Sequence, residues 1–381
     1  MQFLRLKLSN WRNFSDVDIS LASRMFLVGP NASGKSNLLD VFRFLRDIVK
    51  AGGGLKKAVM DRGGVSGLRC LAARRYPDIK VEVNVGEPSE PEDCPLWRYR
   101  IEFNQDNRRN PIIKSEQLWK KGKKIVNRPN EEDKKDPQRL TQTYLEQVNM
   151  NQQFRDLVHF FESVQYLHLV PHLIREPERF MGKSGDPFGG DFLERLASTP
   201  EKTRGARLRK INEALHIAVP QFGALELERD TRGTPHLKAL YEHWRRHGAW
   251  QNEKLFSDGT LRLLGFLWSL LDGEGPLLLE EPELSLHPGV VRCLARLIAR
   301  IRRKRKRQVL ISTHSSDLVA DKGIGGEEVL VLNTTDKGTE AKVGKDVREI
   351  WVLLESGISV SEAILPRTEP KDLQQLELFE G

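Results

Sequence analysis

Of the 381 residues, 39% are hydrophobic and 30% charged, an ordinary balance for a soluble globular protein long enough to bury a core. The 61 Lys and Arg exceed the 53 Asp and Glu, and the resulting charge of +8 is compatible with a polyanionic partner without requiring one. Cys70, Cys94 and Cys293 lie too far apart to read as a metal-ligand pair and fit a reducing compartment. The longest apolar segment, residues 261–271, is too short to span a bilayer and contains Arg262. The expectation is a soluble chain located in the cytoplasm.

Residues 2–8 alternate apolar and polar as a half-buried strand does, unlike a secretory signal. A turn at 10–15 and a second alternating run at 16–21 precede an apolar strand at 24–28. That strand leads into Gly29-Pro-Asn-Ala-Ser-Gly34-Lys35-Ser36, two glycines flanking four residues, then Lys and a hydroxyl. Beyond it Leu38, Val41, Phe42, Leu45, Ile48 and Val49 recur at helical spacing. Strand, glycine loop and helix are the context a phosphate cradle needs, with N–H groups turned inward at the positive end of the helix. Lys35 then reaches the β- and γ-phosphates, and the Ser36 hydroxyl ligates magnesium. A nucleoside triphosphate is the expected ligand.

Glycine-marked loops at 51–54 and 62–64 follow, then alternating runs at 79–85, 97–103, 112–119 and 124–127 that predict an antiparallel meander. The charged, proline-flanked stretch 128–137 reads as a solvated loop. Helical spacing is expected over 138–163, a strand over 164–170, a Gly- and Pro-rich loop over 175–190, a helix over 191–215, and a hairpin from 224–229 and 235–242. From there the pattern is α/β: a helix after Asp258, a strand at 276–279, a helix over 290–303, a strand at 308–312 and an apolar run at 329–332. Such alternation argues a parallel sheet with its ligands at the carboxyl ends of the strands. The tail after Ala363 is polar and loosely held.

Two further strands end in chemistry. Leu277-Leu-Leu-Glu280-Glu281-Pro-Glu283 delivers paired carboxylates, and adjacent strand residues face opposite ways. One carboxylate can back up the magnesium beside Ser36 while the other meets the attacking water. The strand 308–312 runs on to His314, which can donate to the γ-phosphate and hold that water. Ser257-Asp258-Gly259 opens an apolar helix. It reads either as a plain N-cap or as a second anion site built from the Ser257 hydroxyl and free N–H groups. One nucleotide does not need two phosphate loops, whereas a head-to-tail dimer does.

In this order, Asn10-Trp-Arg-Asn-Phe, GPNASGKSNLLD, FSDGTLRLLG, LLLEEPELSLHP and ISTHSSDL resemble the ABC-type ATPase heads of the RecF and SMC class, in particular the prokaryotic "AAA family ATPase" branch also seen in OLD-type nucleases. The motifs bracket residues 1 to about 320. The resemblance implies an α/β P-loop NTPase with a mixed or parallel core sheet, an antiparallel β lobe and a helical lobe. Residues 1–362 would form one head, with 1–130 as the first lobe, 131–250 as a helical and hairpin insertion, 251–362 as the second lobe, and 363–381 as a polar tail.

The resemblance also implies ATP and magnesium as ligands, bound by Gly29, Asn31, Ala32, Ser33, Gly34, Lys35, Ser36 and Asn37, with Arg12 near the nucleotide. Glu280 would back the metal, Glu281 polarise the water and His314 act as the switch histidine. Ser257 and Gly259 would touch the γ-phosphate of the other copy, with Ser285 and Leu286 on the dimer-facing loop. Departures are Asp258 where transporter ATPases have Gly, Glu280 where Asp is usual, and a magnesium-sensing glutamine for which Gln117 and Gln165 are candidates.

The implied activity is ATP hydrolysis by an ATP-sandwiched homodimer or higher homo-oligomer, coupled to DNA-associated work in genome maintenance or antiviral defence. About sixty residues follow His314, too few for a nuclease domain, so an effector is expected as a separate chain. The rivals are a nucleotide-dependent clamp that barely turns over and a transporter ATPase subunit. The basic run 299–307 reads either as a DNA contact or as cations favoured at a helix carboxyl end. The pairs His168/His172 and His243/His247 lack the further ligands a zinc site needs.

Overall fold

The computed structural model describes residues 1–72, 77–90, 94–182, 185–242, 248–364 and 366. His243, His247 and nearly all of the polar tail lie outside them. The chain divides into two compact units, one comprising Met1–Gln165, Glu274–Leu278 and Arg302–Gly381, the other Tyr166–Gly273 and Leu279–Ile301. Among the described residues no helix is long and apolar enough to cross a membrane.

The first unit begins with β1 (Gln2–Trp11), β2 (Phe14–Ser20) and β3 (Arg24–Val28). The meander follows as β4 (Ile79–Gly86), β5 (Trp97–Gln105), β6 (Pro111–Lys120) and β7 (Lys123–Arg128). These strands form an antiparallel sheet of order β2-β1-β4-β5-β6-β7. Alternation in the sequence maps onto the pleat, with Trp97, Tyr99, Ile101 and Phe103 of β5 all buried on one face.

The remaining strands are β8 (Gln165–Leu167), β9 (Phe222–Arg229), β10 (Pro235–Tyr241), β11 (Ala249–Asn252), β12 (Leu277–Glu280), β13 (Val309–Thr313), β14 (Val329–Thr335) and β15 (Gly338–Val343). A second six-stranded sheet has the order β15-β14-β3-β13-β12-β8, with β3 parallel to both β13 and β14. Within the first unit the buried Gln308 amide, just before β13, binds the start of β1 and the chain leading into β3. Its oxygen accepts from Phe3 N at 2.9 Å, and its nitrogen donates to Phe3 O at 2.8 Å and Ala22 O at 3.0 Å. The second unit holds the three-stranded sheet β11-β10-β9, one strand more than the expected hairpin, the helices Phe192–Ser198, Glu201–Ala218 and Asp258–Leu271, and the helix Pro288–Arg305 as far as Ile301.

Three readings of the sequence are corrected here. Residues 191–215 form two helices, separated at Thr199 and Pro200, because proline cannot donate inside a helix. Within 138–163 only Arg155–Glu162 is α-helical, preceded by the 3-10 turns Pro137–Thr141 and Gln152–Phe154. The charged stretch 128–137 is mostly solvated as expected, but it carries the short helix Glu131–Lys135 and buries Arg128 and Asp133. Arg128 is fully buried and donates to Glu116 at 2.8 Å, to both oxygens of Asp133 at 3.0 Å, and to the carbonyls of Gln142 and Arg139 at 2.8 Å. Its guanidinium also lies 4.0 Å from the centroid of Tyr144. Glu116 accepts from the Tyr99 hydroxyl and Tyr144 N as well, so every charge in this pocket is partnered.

Removing the cation alone would strand two buried carboxylates. Arg128→Met is therefore expected to lower stability by about 3–5 kcal/mol in denaturant melts. A loss below about 1 kcal/mol would mean that the network is not a stabilising element.

Candidate functional site: a phosphate loop and a carboxylate–signature unit

In the first unit the parallel register sets Val28 level with Thr313 on one side and Val331 on the other. The ends of β3 and β13 thus lie level with the middle of β14, and the chain leaves the first two as the phosphate loop and as His314 while β14 runs on through Leu332. The loop fits so closely that a Cβ on Gly29 would stand 2.5 Å from Leu332 O. Gly34 has φ +95°, and a Cβ there would stand 2.1 Å from Asn13 Nδ2, so this position needs glycine for both backbone and space.

The helix Lys35–Val49 starts at Gly34 with no side-chain cap, leaving its positive end to an anion. Ser33 Oγ is buried with no protein partner, as an oxygen waiting for a ligand would be. Lys35 Nζ rests on the carbonyls of Gly29 and Pro30, both at 2.9 Å. Asn31, Ala32, Ser36 and His314 are exposed, and Asn37 is half-buried.

The residue that holds this loop was given no role by the sequence. Asn13, in the turn between β1 and β2, donates from Nδ2 to Ser33 O at 2.9 Å and to Thr339 Oγ1 at 2.7 Å. Its Oδ1 accepts from Asn37 Nδ2 at 2.8 Å, and its backbone carbonyl accepts from Thr339 N at 2.7 Å. Its neighbours grip the same helix. Trp11 Nε1 donates to Asn37 O at 3.0 Å, and Arg12 Nη2 pairs with Asp40 at 3.2 Å. Arg12, expected near the nucleotide, thus commits one nitrogen to the first turns of the helix. The Asn-Trp-Arg-Asn lead-in was visible as a pattern, but only the fold shows what its side chains touch.

Farther along the helix, Arg62 bridges Asp40 and Asp47 with bonds of 2.9 Å, while Arg46 and Lys50 each reach Asp47 at 3.0 Å. Burial alone would raise the Asp47 carboxyl; Arg46, Arg62 and Lys50 outweigh it and hold it at about 2.

The second unit carries the other candidates. Glu280 ends β12 half-buried, and the Tyr166 hydroxyl donates to its Oε2. Glu281 has φ +44°, an uncommon backbone state for glutamate and one that clusters at functional positions. The helix Asp258–Leu271 is capped by Ser257, whose Oγ accepts from Thr260 N at 3.1 Å, and Ser257 and Asp258 are exposed. The N-cap reading is therefore realised.

Arg175 pins this turn from both sides, donating to Phe256 O at 2.7 Å and Asp258 Oδ1 at 2.5 Å. A Cβ on Gly259 would stand 2.5 Å from Ser285 O, so the helix start lies directly against the loop after the carboxylates. Arg262 lies between these charges; burial draws its guanidinium below the ordinary value, against the pull of Asp258, Glu281 and Glu283.

Gln117, a candidate magnesium sensor, bonds Asn127 at 3.0 Å, while Gln165 accepts from Arg307 at 2.9 Å. His172 pairs with Glu176 at 2.9 Å, and His168 packs edge-on against Phe188. No group of three or more His, Cys, Asp or Glu among the described residues could hold a metal by itself. The Ser36 hydroxyl in the first unit and the Glu280 carboxylate in the second are each of the hard-oxygen type that magnesium prefers.

Fold and loop together define a P-loop ATPase head of the ABC type. Residues 24–321 match the family model described as "AAA domain, putative AbiEii toxin, Type IV TA system", and the chain belongs to that family. It is thus a member of a nucleotide-binding ATPase family. No curated protein matches it.

Among solved structures it is similar to an SMC head bound to the C-winged helix domain of ScpA, with TM-score 0.54 and 15% identity over 90% of this chain and 97% of that one. It is also similar to the Pyrococcus furiosus Smc head bound to the C-terminal domain of ScpA, with TM-score 0.53 and 12% identity over 93% and 99%. A Pyrococcus yayanosii Smc head with coiled coil and joint gives TM-score 0.50 and 12% identity over 93% and 99%. At these identities the likeness is one of fold.

Two outcomes test the first unit. Asn13→Ala orphans the Asn37 amide and Ser33 O, and should weaken ATP binding about tenfold in a fluorescent-nucleotide titration. For Asp47 the folded pKa of about 2 lies below the ordinary aspartate value of 3.8. Its contribution, about 2 kcal/mol, is therefore full above about pH 4 and is lost as pH falls through about 2. Asp47→Asn should flatten that part of the acid-stability profile.

Proposed function

We propose that the chain hydrolyses ATP as a head-to-tail pair and uses nucleotide state to present or withdraw a surface to a separately encoded effector. Each copy would hold ATP on its own phosphate loop and receive Ser257 and Gly259 from the other. The observation that carries this reading is the exposed Ser257 turn, which Arg175 pins and whose N-capping hydroxyl is thereby held at the surface beside the helix start.

The chemistry is positioning and electrostatics. The helix start and Lys35 would hold the phosphates, with Gly29, Asn31, Ala32, Ser33, Gly34 and Asn37 shaping the cradle. Glu281 would orient the water and take its proton as the new P–O bond forms and the β–γ bridge breaks. His314 would donate to the γ-phosphate. Magnesium, held by Ser36 and Glu280, would offset the charge that builds on the transferring group. The donors from the second copy arrive only on pairing, so hydrolysis would follow dimerisation and release it.

The effector reading is supported by the solved SMC heads that carry ScpA domains, and by a family description that names a toxin–antitoxin system. Together with the basic last turn Arg302, Arg303, Lys304 and Arg305, these favour DNA-associated work in genome maintenance or defence against foreign DNA, in the cytoplasm. Arg307 belongs elsewhere, because it is buried on Gly275 O and Gln165. A slow clamp is the second reading, favoured by a glutamate at 280 whose oxygen a tyrosine already engages.

Glu281→Gln is expected to cut hydrolysis about 10²- to 10⁴-fold and to accumulate as a dimer with ATP and magnesium in light scattering. Adding Ser257→Arg should return it to monomer. A monomer under every condition would rule out the pair, and near-zero turnover in the unaltered chain would favour the clamp.

A further inference from the structure

We propose that Tyr166 is a positioning residue that allows a glutamate, in place of the shorter aspartate, to serve at position 280. The inference rests on the reading of Glu280 as the carboxylate that backs magnesium. Tyr166 lies in β8, the sheet neighbour of β12, and its hydroxyl donates to Glu280 Oε2.

Length is the problem that this contact answers. Glutamate carries one more rotatable bond than aspartate, so its carboxylate sweeps a larger volume and loses more entropy when held in one orientation. A metal ligand with that freedom binds weakly unless something else fixes it. A donor on one oxygen fixes the carboxylate plane, and with it the direction in which the group can face a cation. The donor must itself be rigid. Tyr166 is only 9% exposed, so close packing around the ring limits how far it can swing.

Leu169 in turn is locked. A Cβ on Gly265 would stand 2.3 Å from its Cδ1, so the chain just after Tyr166 is seated in a notch of the Asp258–Leu271 helix. Phenylalanine would keep this packing and remove only the hydroxyl. Aspartate at 280 would be too short to keep the same bond and, with one torsion fewer, would depend on it less.

The test is a double-mutant cycle read as magnesium dependence of nucleotide binding rather than as turnover. ATP affinity is measured in EDTA and across a magnesium titration for the unaltered chain, Tyr166→Phe, Glu280→Asp and the double variant, with thermal melts confirming that each is folded. Tyr166→Phe should bind ATP normally in EDTA but need about tenfold more magnesium for half-saturation. In the Glu280→Asp background the same change should shift it less than about twofold. An unchanged magnesium requirement in folded Tyr166→Phe, or an equal shift in both backgrounds, overturns the proposal. An unaltered chain whose ATP binding ignores magnesium overturns the reading of Glu280 as well.

Discussion

The first unit turns on the four hydrogen bonds of Asn13. A phosphate loop must aim its N–H groups inward at an anion, so the rest of its backbone has to be held from outside by something that does not compete for the same space. One short amide meets that need, since it offers both donors and acceptors and ends close enough to Gly34 that no larger residue fits there. The same side chain and its carbonyl bind Thr339 of β15, so the loop is held between the first hairpin and the last strands of the sheet. Trp11 and Arg12 extend the grip along the helix, and the Asp40–Arg62–Asp47 cluster continues it to the second loop of the chain. This makes a built site of what would otherwise be a flexible glycine turn.

The carboxylate unit is organised differently. Its functional candidates are held by close backbone approach and by two side chains, one from β8 and one from the segment that follows it. Gly259 and Gly265 are small because Ser285 and Leu169 occupy the space a side chain would need. Tyr166 and Arg175, nine residues apart, each bind one candidate element, the carboxylate and the signature turn. The strained backbone of Glu281 persists because its flanks are fixed: Leu279 is buried in the sheet and Pro282 in the turn.

Local signals carried much of this architecture. The phosphate loop is contiguous, so its strand, turn and helix could be read from the eight residues Gly29 to Ser36 and a 3.6 period. The meander was equally clear, since one buried face imposes a two-residue alternation. What stayed hidden depends on partners distant in sequence. Asn13 looks like any turn residue until Ser33 and Thr339 are brought beside it. Arg128 sits in a run of charges whose local composition says solvent, and its burial follows only from Glu116 on a neighbouring strand and Asp133 in the next turn. The division at Pro200 was legible and overlooked, whereas β11 pairs with β10 by only four residues and has no pattern of its own.

The contact between Gly259 and the Ser285 carbonyl has a consequence for recognition. Two exposed hydroxyls, from stretches nearly thirty positions apart, are carried by backbones too tightly apposed to drift independently. Whatever docks there meets a pre-set template, and the conformational freedom usually surrendered when two molecules join was already given up when the chain folded.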